Sequence, residues 1–150
     1  MTEVWTGGCQ CGAVRYRFTQ RPSGSHICHC RMCQKAFGNF FAALAGVKKS
    51  DLRWTMGKPA YYRSSSIVRR GFCQHCGTPL TFSYDHKPHM SISIGSLDNP
   101  ALVKVENQFG LEGMLPAFPS LHTLPGSRTE DDISPEDLEK LKSLQHADHN

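Results

Sequence analysis

Seven cysteines in three tight clusters constrain this chain more than any other feature. They are spaced Cys9-x-Cys11, Cys28-x-Cys30-x-x-Cys33 and Cys73-x-x-Cys76, and none falls outside these clusters. In an extended strand residues i and i+2 project from one face, so both sulfurs of a Cys-x-Cys can converge on a single ion. A Cys-x-x-Cys achieves the same from a tight turn. Gly12 and Gly77 each follow a cysteine pair directly, and glycine tolerates the positive φ that such turns use. Cys76-Gly77-Thr78-Pro79 reads as a knuckle running back into a strand. Zinc takes four ligands in a tetrahedron. Seven thiolates therefore divide into one complete four-sulfur site and one three-sulfur site with a coordination position left over. An open position separates a catalytic zinc from a structural one, so the count points to an enzyme.

The competing reading is disulfides. An odd count leaves one thiol unpaired, and a chain of 150 residues does not need covalent staples to hold a core. Residues 1–8 have neither a basic start nor an apolar stretch, so no signal peptide is expected. A reducing, cytoplasmic location follows, where clustered cysteines hold metal or carry out redox chemistry. Sulfur ligands alone also admit an iron–sulfur cluster. Knuckles of this kind favour zinc, at two ions per chain.

The remaining sequence fits one compact, mainly β domain. Hydrophobic residues make up 39% of the chain, and no apolar run approaches the roughly 18 residues of a membrane span. The longest, Phe40-Phe41-Ala42-Ala43-Leu44-Ala45, suits a buried strand or a short helix. The formal charge of +4 falls to about +1 once seven thiolates and two zinc ions are counted. With no basic run longer than Arg69-Arg70, neither nucleic acid nor a membrane surface is expected as a partner. Val14, Tyr16 and Phe18 share one strand face, with Arg15 and Arg17 on the other. Leu80, Phe82 and Tyr84 alternate with Thr81 and Ser83, and Met90, Ile92 and Ile94 with Ser91 and Ser93. One helix is predicted near the end: Ser134 caps it, Pro135 takes its first position, and Asp137 completes a capping-box-like pattern. Leu138, Leu141 and Leu144 then recur at helical spacing. Residues 126–132 read as an exposed linker and 145–150 as a frayed tail, which leaves His146 and His149 without a role. The expected organisation is a zinc-binding domain over 1–125, then linker, helix and tail over 126–150.

Spacing alone does not settle how seven ligands share two sites. The simplest partition joins Cys9, Cys11, Cys73 and Cys76 into a closed site, clipping an N-terminal strand to a hairpin about sixty residues away. Cys28, Cys30 and Cys33 then form the second site from one segment. Three thiolates and Zn²⁺ leave a charge of −1 there, with the fourth position open to water or an incoming ligand. His29, between two cysteines of an extended segment, points to the opposite face. His26, two residues before Cys28, can face the metal and would close the site. His75 reads as an exposed turn residue. Arg63, Arg69 and Arg70 are either solvated strand-face charges or guanidinium forks for substrate carboxylates. Ser64-Ser65-Ser66 is a polar turn or a hydrogen-bonding surface for a peptide-like substrate.

Together these motifs resemble the glutathione-dependent formaldehyde-activating enzymes, a family that includes centromere-protein-V-like members. The resemblance is carried by Gly7-Gly8-Cys9-Gln10-Cys11-Gly12-Ala13-Val14-Arg15-Tyr16 and Cys28-His29-Cys30-Arg31-Met32-Cys33. Gly57-Lys58-Pro59, Phe72-Cys73-Gln74-His75-Cys76-Gly77-Thr78-Pro79-Leu80 and Ile94-Gly95-Ser96-Leu97-Asp98-Asn99-Pro100 extend it to residue 100 in family order. It implies a zinc-containing β-tent fold of several small coiled antiparallel sheets. It also implies structural zinc at Cys9, Cys11, Cys73 and Cys76, and catalytic zinc at Cys28, Cys30 and Cys33. The implied activity condenses a glutathione-like thiol with formaldehyde to S-hydroxymethylglutathione, formally a reversible carbon–sulfur lyase step. Zinc would either lower the pKa of the thiol, whose thiolate is the nucleophile, or polarise the aldehyde oxygen. Three thiolates soften its Lewis acidity and favour thiolate delivery. Beyond residue 100 the resemblance thins: Pro116-Ala117-Phe118 stands where many members carry a tryptophan before a Leu-Pro pair. The alternative is a zinc-stabilised protein- or nucleic-acid-binding module with two purely structural sites. That reading requires an eighth ligand and a basic stripe with interleaved aromatics, and the sequence lacks a convincing stripe.

Overall fold

The computed structural model describes residues 3–149. Its alternating segments pair into a mainly β architecture of two sheets. The smaller has the order β1-β2-β5, from β1 (Trp5–Gly8), β2 (Arg15–Phe18) and β5 (Arg53–Met56). The larger contains β3 (Ser23–Cys28), β4 (Ala42–Lys48), β6 (Ala60–Ser65), β7 (Val68–Phe72), β8 (Pro79–Tyr84), β9 (His89–Ser93) and β10 (Asn107–Phe109). Its order is β10-β3-β4-β9-β8-β7-β6, antiparallel throughout except that β10 runs parallel to β3. No described helix is long and apolar enough to cross a membrane.

The apolar face of the small sheet packs on one face of the large one. Trp5, Val14, Tyr16 and Phe18 meet Ala45, Val47, Leu80 and Ile92 in a single core that also takes in Cys9 and Cys73. Full burial of side chains the size of Phe18 or Ile92 contributes about 1.5–3 kcal/mol each. Gly7 must be glycine, because a Cβ there would lie 2.4 Å from the Tyr16 hydroxyl and 2.5 Å from the Ser96 carbonyl. This close approach lets Gly7 bridge to Leu97, and the Asp98 N–H donates to the Thr6 carbonyl at 3.0 Å.

Several local expectations change. Arg15, expected to face outward, is only 4% exposed. Its guanidinium grips Asp98 in a fork, Nη1 to Oδ1 at 2.9 Å and Nη2 to Oδ2 at 2.5 Å, and the Thr6 hydroxyl donates to the same carboxylate. Burial alone would raise the Asp98 pKa, yet the Arg15 and Thr6 hydrogen bonds outweigh it and hold the carboxyl below its ordinary value. A buried charge is tolerated when paired this fully. In β8 the register slips beside Gly71 and Phe72, so that Phe72 pairs with Pro79. Leu80 thereby enters the core while Phe82 and Tyr84 stay outside it, separating a trio expected on one face.

The chain also carries helices that its periodicity did not reveal. α1 (Arg31–Phe37) starts at Cys30 and ends at Gly38, whose φ of 56° places it in the left-handed region while its N–H returns to the Gln34 and Lys35 carbonyls. α2 (Thr129–Asp132) forms one turn inside the expected linker. α3 (Pro135–Lys140) begins as predicted, with the Asp137 N–H donating to Ser134 Oγ at 3.1 Å. It stops at Lys140, so Leu144 lies beyond it and is 91% exposed. The following tail returns to the body rather than fraying: the His146 N–H donates to the Gln10 carbonyl at 2.7 Å and Arg15 Nη2 to the His149 carbonyl at 2.8 Å. Asn150 lies outside the described residues.

Candidate metal centres and the adjoining cleft

The structure gathers the seven cysteines into two groups. Cys9, Cys11, Cys73 and Cys76 form one and Cys28, Cys30 and Cys33 the other, with the sulfurs of each group within 4.8 Å of one another. In the first group two turns of the same build face each other. The Gly12 N–H donates to the Cys9 carbonyl at 3.1 Å and the Gly77 N–H to the Cys73 carbonyl at 2.8 Å, both glycines having φ of 78°. The β1–β2 hairpin supplies one turn and the β7–β8 connection the other, so the cluster ties the two sheets together. Sulfurs about 2.3 Å from a tetrahedral zinc stand about 3.8 Å apart. Cys9 and Cys11 lie 3.6 Å apart and Cys11 and Cys73 3.8 Å apart, so this donor set fits the ion. Further hydrogen bonds reach the sulfurs: the Val14 N–H donates to Cys9 Sγ at 3.2 Å, and the Thr78 hydroxyl lies 3.1 Å from Cys76 Sγ. Burial pushes the Cys9 thiol up to about 12. At Cys76 burial acts the same way but is outweighed by the Thr78 hydroxyl and backbone N–H, and the thiol falls to about 6.

The three-cysteine group is built from a strand end and a helix start. Cys28 closes β3, Cys30 caps α1, and Cys33 lies in its first turn, its N–H donating to Cys30 Sγ at 3.4 Å. Cys28 and Cys33 are buried, and burial pushes the Cys28 thiol up to about 12. Burial would raise Cys30 too, but the Cys33 N–H, the neighbouring sulfurs and the charge of Arg70 together lower it. Among the described residues no histidine or carboxylate joins these three sulfurs. The set is therefore a soft, three-donor site of a kind that suits zinc with a position to spare.

The residues weighed beside the cysteines fall in different places. His29 is fully buried, outside the sulfur group, with Nε2 2.8 Å from the Gln108 amide oxygen and its ring edge-on to Phe118 at 4.5 Å. His26 Nδ1 bonds the Gly24 carbonyl at 2.8 Å, and His75 is exposed. Arg63 and Arg69 both pair with Asp85 at the surface. Arg70 alone of the three arginines reaches the site. It is 4% exposed and donates from Nη2 to Cys33 Sγ at 3.4 Å and from Nε to Ser64 Oγ at 3.1 Å, with its guanidinium 4.8 Å above the Phe82 ring. Its Nη1 is buried with no hydrogen-bond partner.

Sequence reasoning missed the frame behind the sulfurs. Gln34, on α1, donates its amide to the carbonyls of His29 at 2.9 Å and Gly113 at 2.8 Å, locking the helix to the later chain. The His29 N–H donates to the Phe109 carbonyl at 2.8 Å, and Gly110 and Gly113 pass so close to Cys30 that a Cβ on either would lie within 3.3 Å of its backbone. A buried glutamine on a helix too short for periodicity carries no sequence signal. The glycines could have been noted as points of close approach.

A cleft of about 940 Å³ opens beside the three-cysteine group, and the four-cysteine group does not line it. Alternate residues of the large sheet form its floor, among them Cys28 on β3, Leu44 on β4, Arg70 on β7 and Phe82 on β8. Their shared face follows from the pairing, since Phe82 is opposite Arg70 and Cys28 opposite Ala42, two residues before Leu44.

Comparison with known proteins gives concordant results. A model of the glutathione-dependent formaldehyde-activating enzyme family matches residues 4–110, which include all seven cysteines. The crystal structure of a Rhodobacter sphaeroides protein superposes with a TM-score of 0.55 at 23% identity, over 69% of this chain and 98% of that one. That likeness supports the fold.

Proposed function

The chain belongs to the glutathione-dependent formaldehyde-activating enzyme family, and from that premise we propose that it is a zinc-dependent carbon–sulfur lyase joining a glutathione-like thiol to an aldehyde at Cys28, Cys30 and Cys33. One observation carries this reading. Three sulfurs without a fourth described protein donor stand at the wall of a cleft, while the complete four-sulfur group lies away from it. In this reading Cys9, Cys11, Cys73 and Cys76 hold a structural zinc, and Cys28, Cys30 and Cys33 a catalytic one. Bound at the three sulfurs, zinc supplies the positive charge that lets an incoming thiol ionise near neutral pH.

The chain's own groups prepare that site. The Cys33 N–H orients Cys30 Sγ, and Gln34 fixes the turn that carries it. The Arg70 guanidinium, against Cys33 Sγ, offsets part of the excess negative charge of three thiolates. A binding module with two structural sites would need a fourth protein ligand here, and among the described residues neither His26 nor any other histidine or carboxylate gathers with the three sulfurs. Exchange NMR on formaldehyde and glutathione at equilibrium tests the proposal. Zinc-loaded protein should speed the exchange and Cys30→Ser should not. An exchange rate unchanged by the wild type would overturn it.

A further inference from the structure

The cleft is much larger than a one-carbon aldehyde requires. At about 940 Å³ it lies at the top of the range that encloses drug-sized ligands, about 300–1,000 Å³. Apart from Arg70 against Cys33, its surface is mostly apolar, with Leu44 and Val68 buried beneath it and Phe82 alongside. Around its mouth Met32, Ile67, Tyr84 and Phe109 remain 38–68% exposed. Large apolar side chains left open around a reactive centre mark a ligand surface. Apart from the three sulfurs, the charged groups are cationic: Arg70, turned to Cys33, and Lys87 line the cleft, and among the described residues no carboxylate does. Such a site suits a ligand that is anionic at one end and apolar over much of its length. Formaldehyde has no apolar group to place there.

Resting on the thiol–aldehyde reading above, we infer that the cleft selects aldehydes bearing an apolar chain or ring. That group is seated against Phe82 and Phe109 while the carboxylates of the thiol meet Lys87 at the rim. The step balances without an oxidant or reductant. The thiol sulfur forms a C–S bond to the carbonyl carbon, the C=O π pair moves to oxygen, and that oxygen takes the proton lost by the thiol. Each CH₂ removed from water on this surface strengthens binding by a factor of about four.

Two thioethers, S-methylglutathione and S-hexylglutathione, mimic the adducts of a small and a large aldehyde. Titrated calorimetrically into zinc-loaded protein, the hexyl conjugate should bind at least tenfold more tightly. In Phe109→Ser, which alters a side chain already 68% exposed, that ratio should fall to threefold or less. Hexanal exchange with glutathione should be accelerated over its uncatalysed rate at least as strongly as formaldehyde exchange. Equal binding of the two conjugates, or a ratio unmoved in Phe109→Ser, overturns the inference and leaves the proposed reaction standing if formaldehyde exchange is still accelerated. No acceleration with either aldehyde overturns the reaction and this inference together.

Discussion

Arg70 shows how much one side chain decides in this site. Its guanidinium is buried between Phe82 and Cys33, and a buried cation persists only where a partner compensates its lost hydration. Cys33 Sγ is that partner, and in the proposed zinc site three thiolates would carry more negative charge than one divalent ion neutralises. Groups that support metal ligands from behind typically alter affinity by about 10–100-fold when removed. Arg70→Met should therefore weaken zinc at Cys28, Cys30 and Cys33 by that factor in a chelator competition, with the four-cysteine ion retained. Arg70→Lys should recover part of the loss. Equal weakening of both ions would show that Arg70 acts through the fold rather than through Cys33. This role was not legible in the sequence, where Arg63, Arg69 and Arg70 look alike. Strand alternation assigns a face, but Asp85 captures two of these arginines and a sulfur the third. Arg15 misleads for the same reason: Asp98, its partner, is more than eighty residues away.

At the level of elements, local chemistry was readable and long-range closure was not. Strands such as β2 and β9 announce themselves because four or five residues suffice to show a period of two. The start of α3 is equally plain, since Ser134, Pro135 and Asp137 act within one turn. α1 spans seven residues, too few for a helical period, although Gly38 at its end was an available stop signal. The two cysteine turns separate local from distant effects directly. Gly12 and Gly77 share a φ of 78°, so alanine at either costs about 1–2 kcal/mol in backbone strain. Around Gly77 the space is open, whereas a Cβ on Gly12 would lie 2.4 Å from the His146 ring. Gly12→Ala should accordingly cost about 1 kcal/mol more than Gly77→Ala in urea unfolding of the zinc-loaded protein. The difference should vanish in a shortened chain ending at Leu144. A persistent difference would mean that the tail does not rest on this turn.

For the molecule as a whole, the two sulfur groups occupy mechanically different places. Cys9 and Cys73 belong to the main core, and their group joins the β1–β2 hairpin to the β7–β8 connection, so it closes the interface between the sheets. Cys28 and Cys33 sit in a smaller core with Ala42 and Leu44, drawn from β3, α1 and β4, which are already joined by strand pairing and by Gln34. A metal that bridges distant segments contributes its binding energy to folding, whereas one held within a connected unit contributes less. For a chain of this size each kcal/mol lost lowers the Tm by about 2–4 °C. Cys76→Ser, which opens the group between the sheets, should lower the Tm by at least about 10 °C, as followed by circular dichroism on zinc-loaded protein. Cys33→Ser should cost less than half as much while releasing one zinc ion, counted by mass spectrometry under native conditions. Similar losses of Tm in the two variants would contradict the assignment of one ion to the fold and the other to chemistry. The two sites would then have to be read as equal parts of the scaffold.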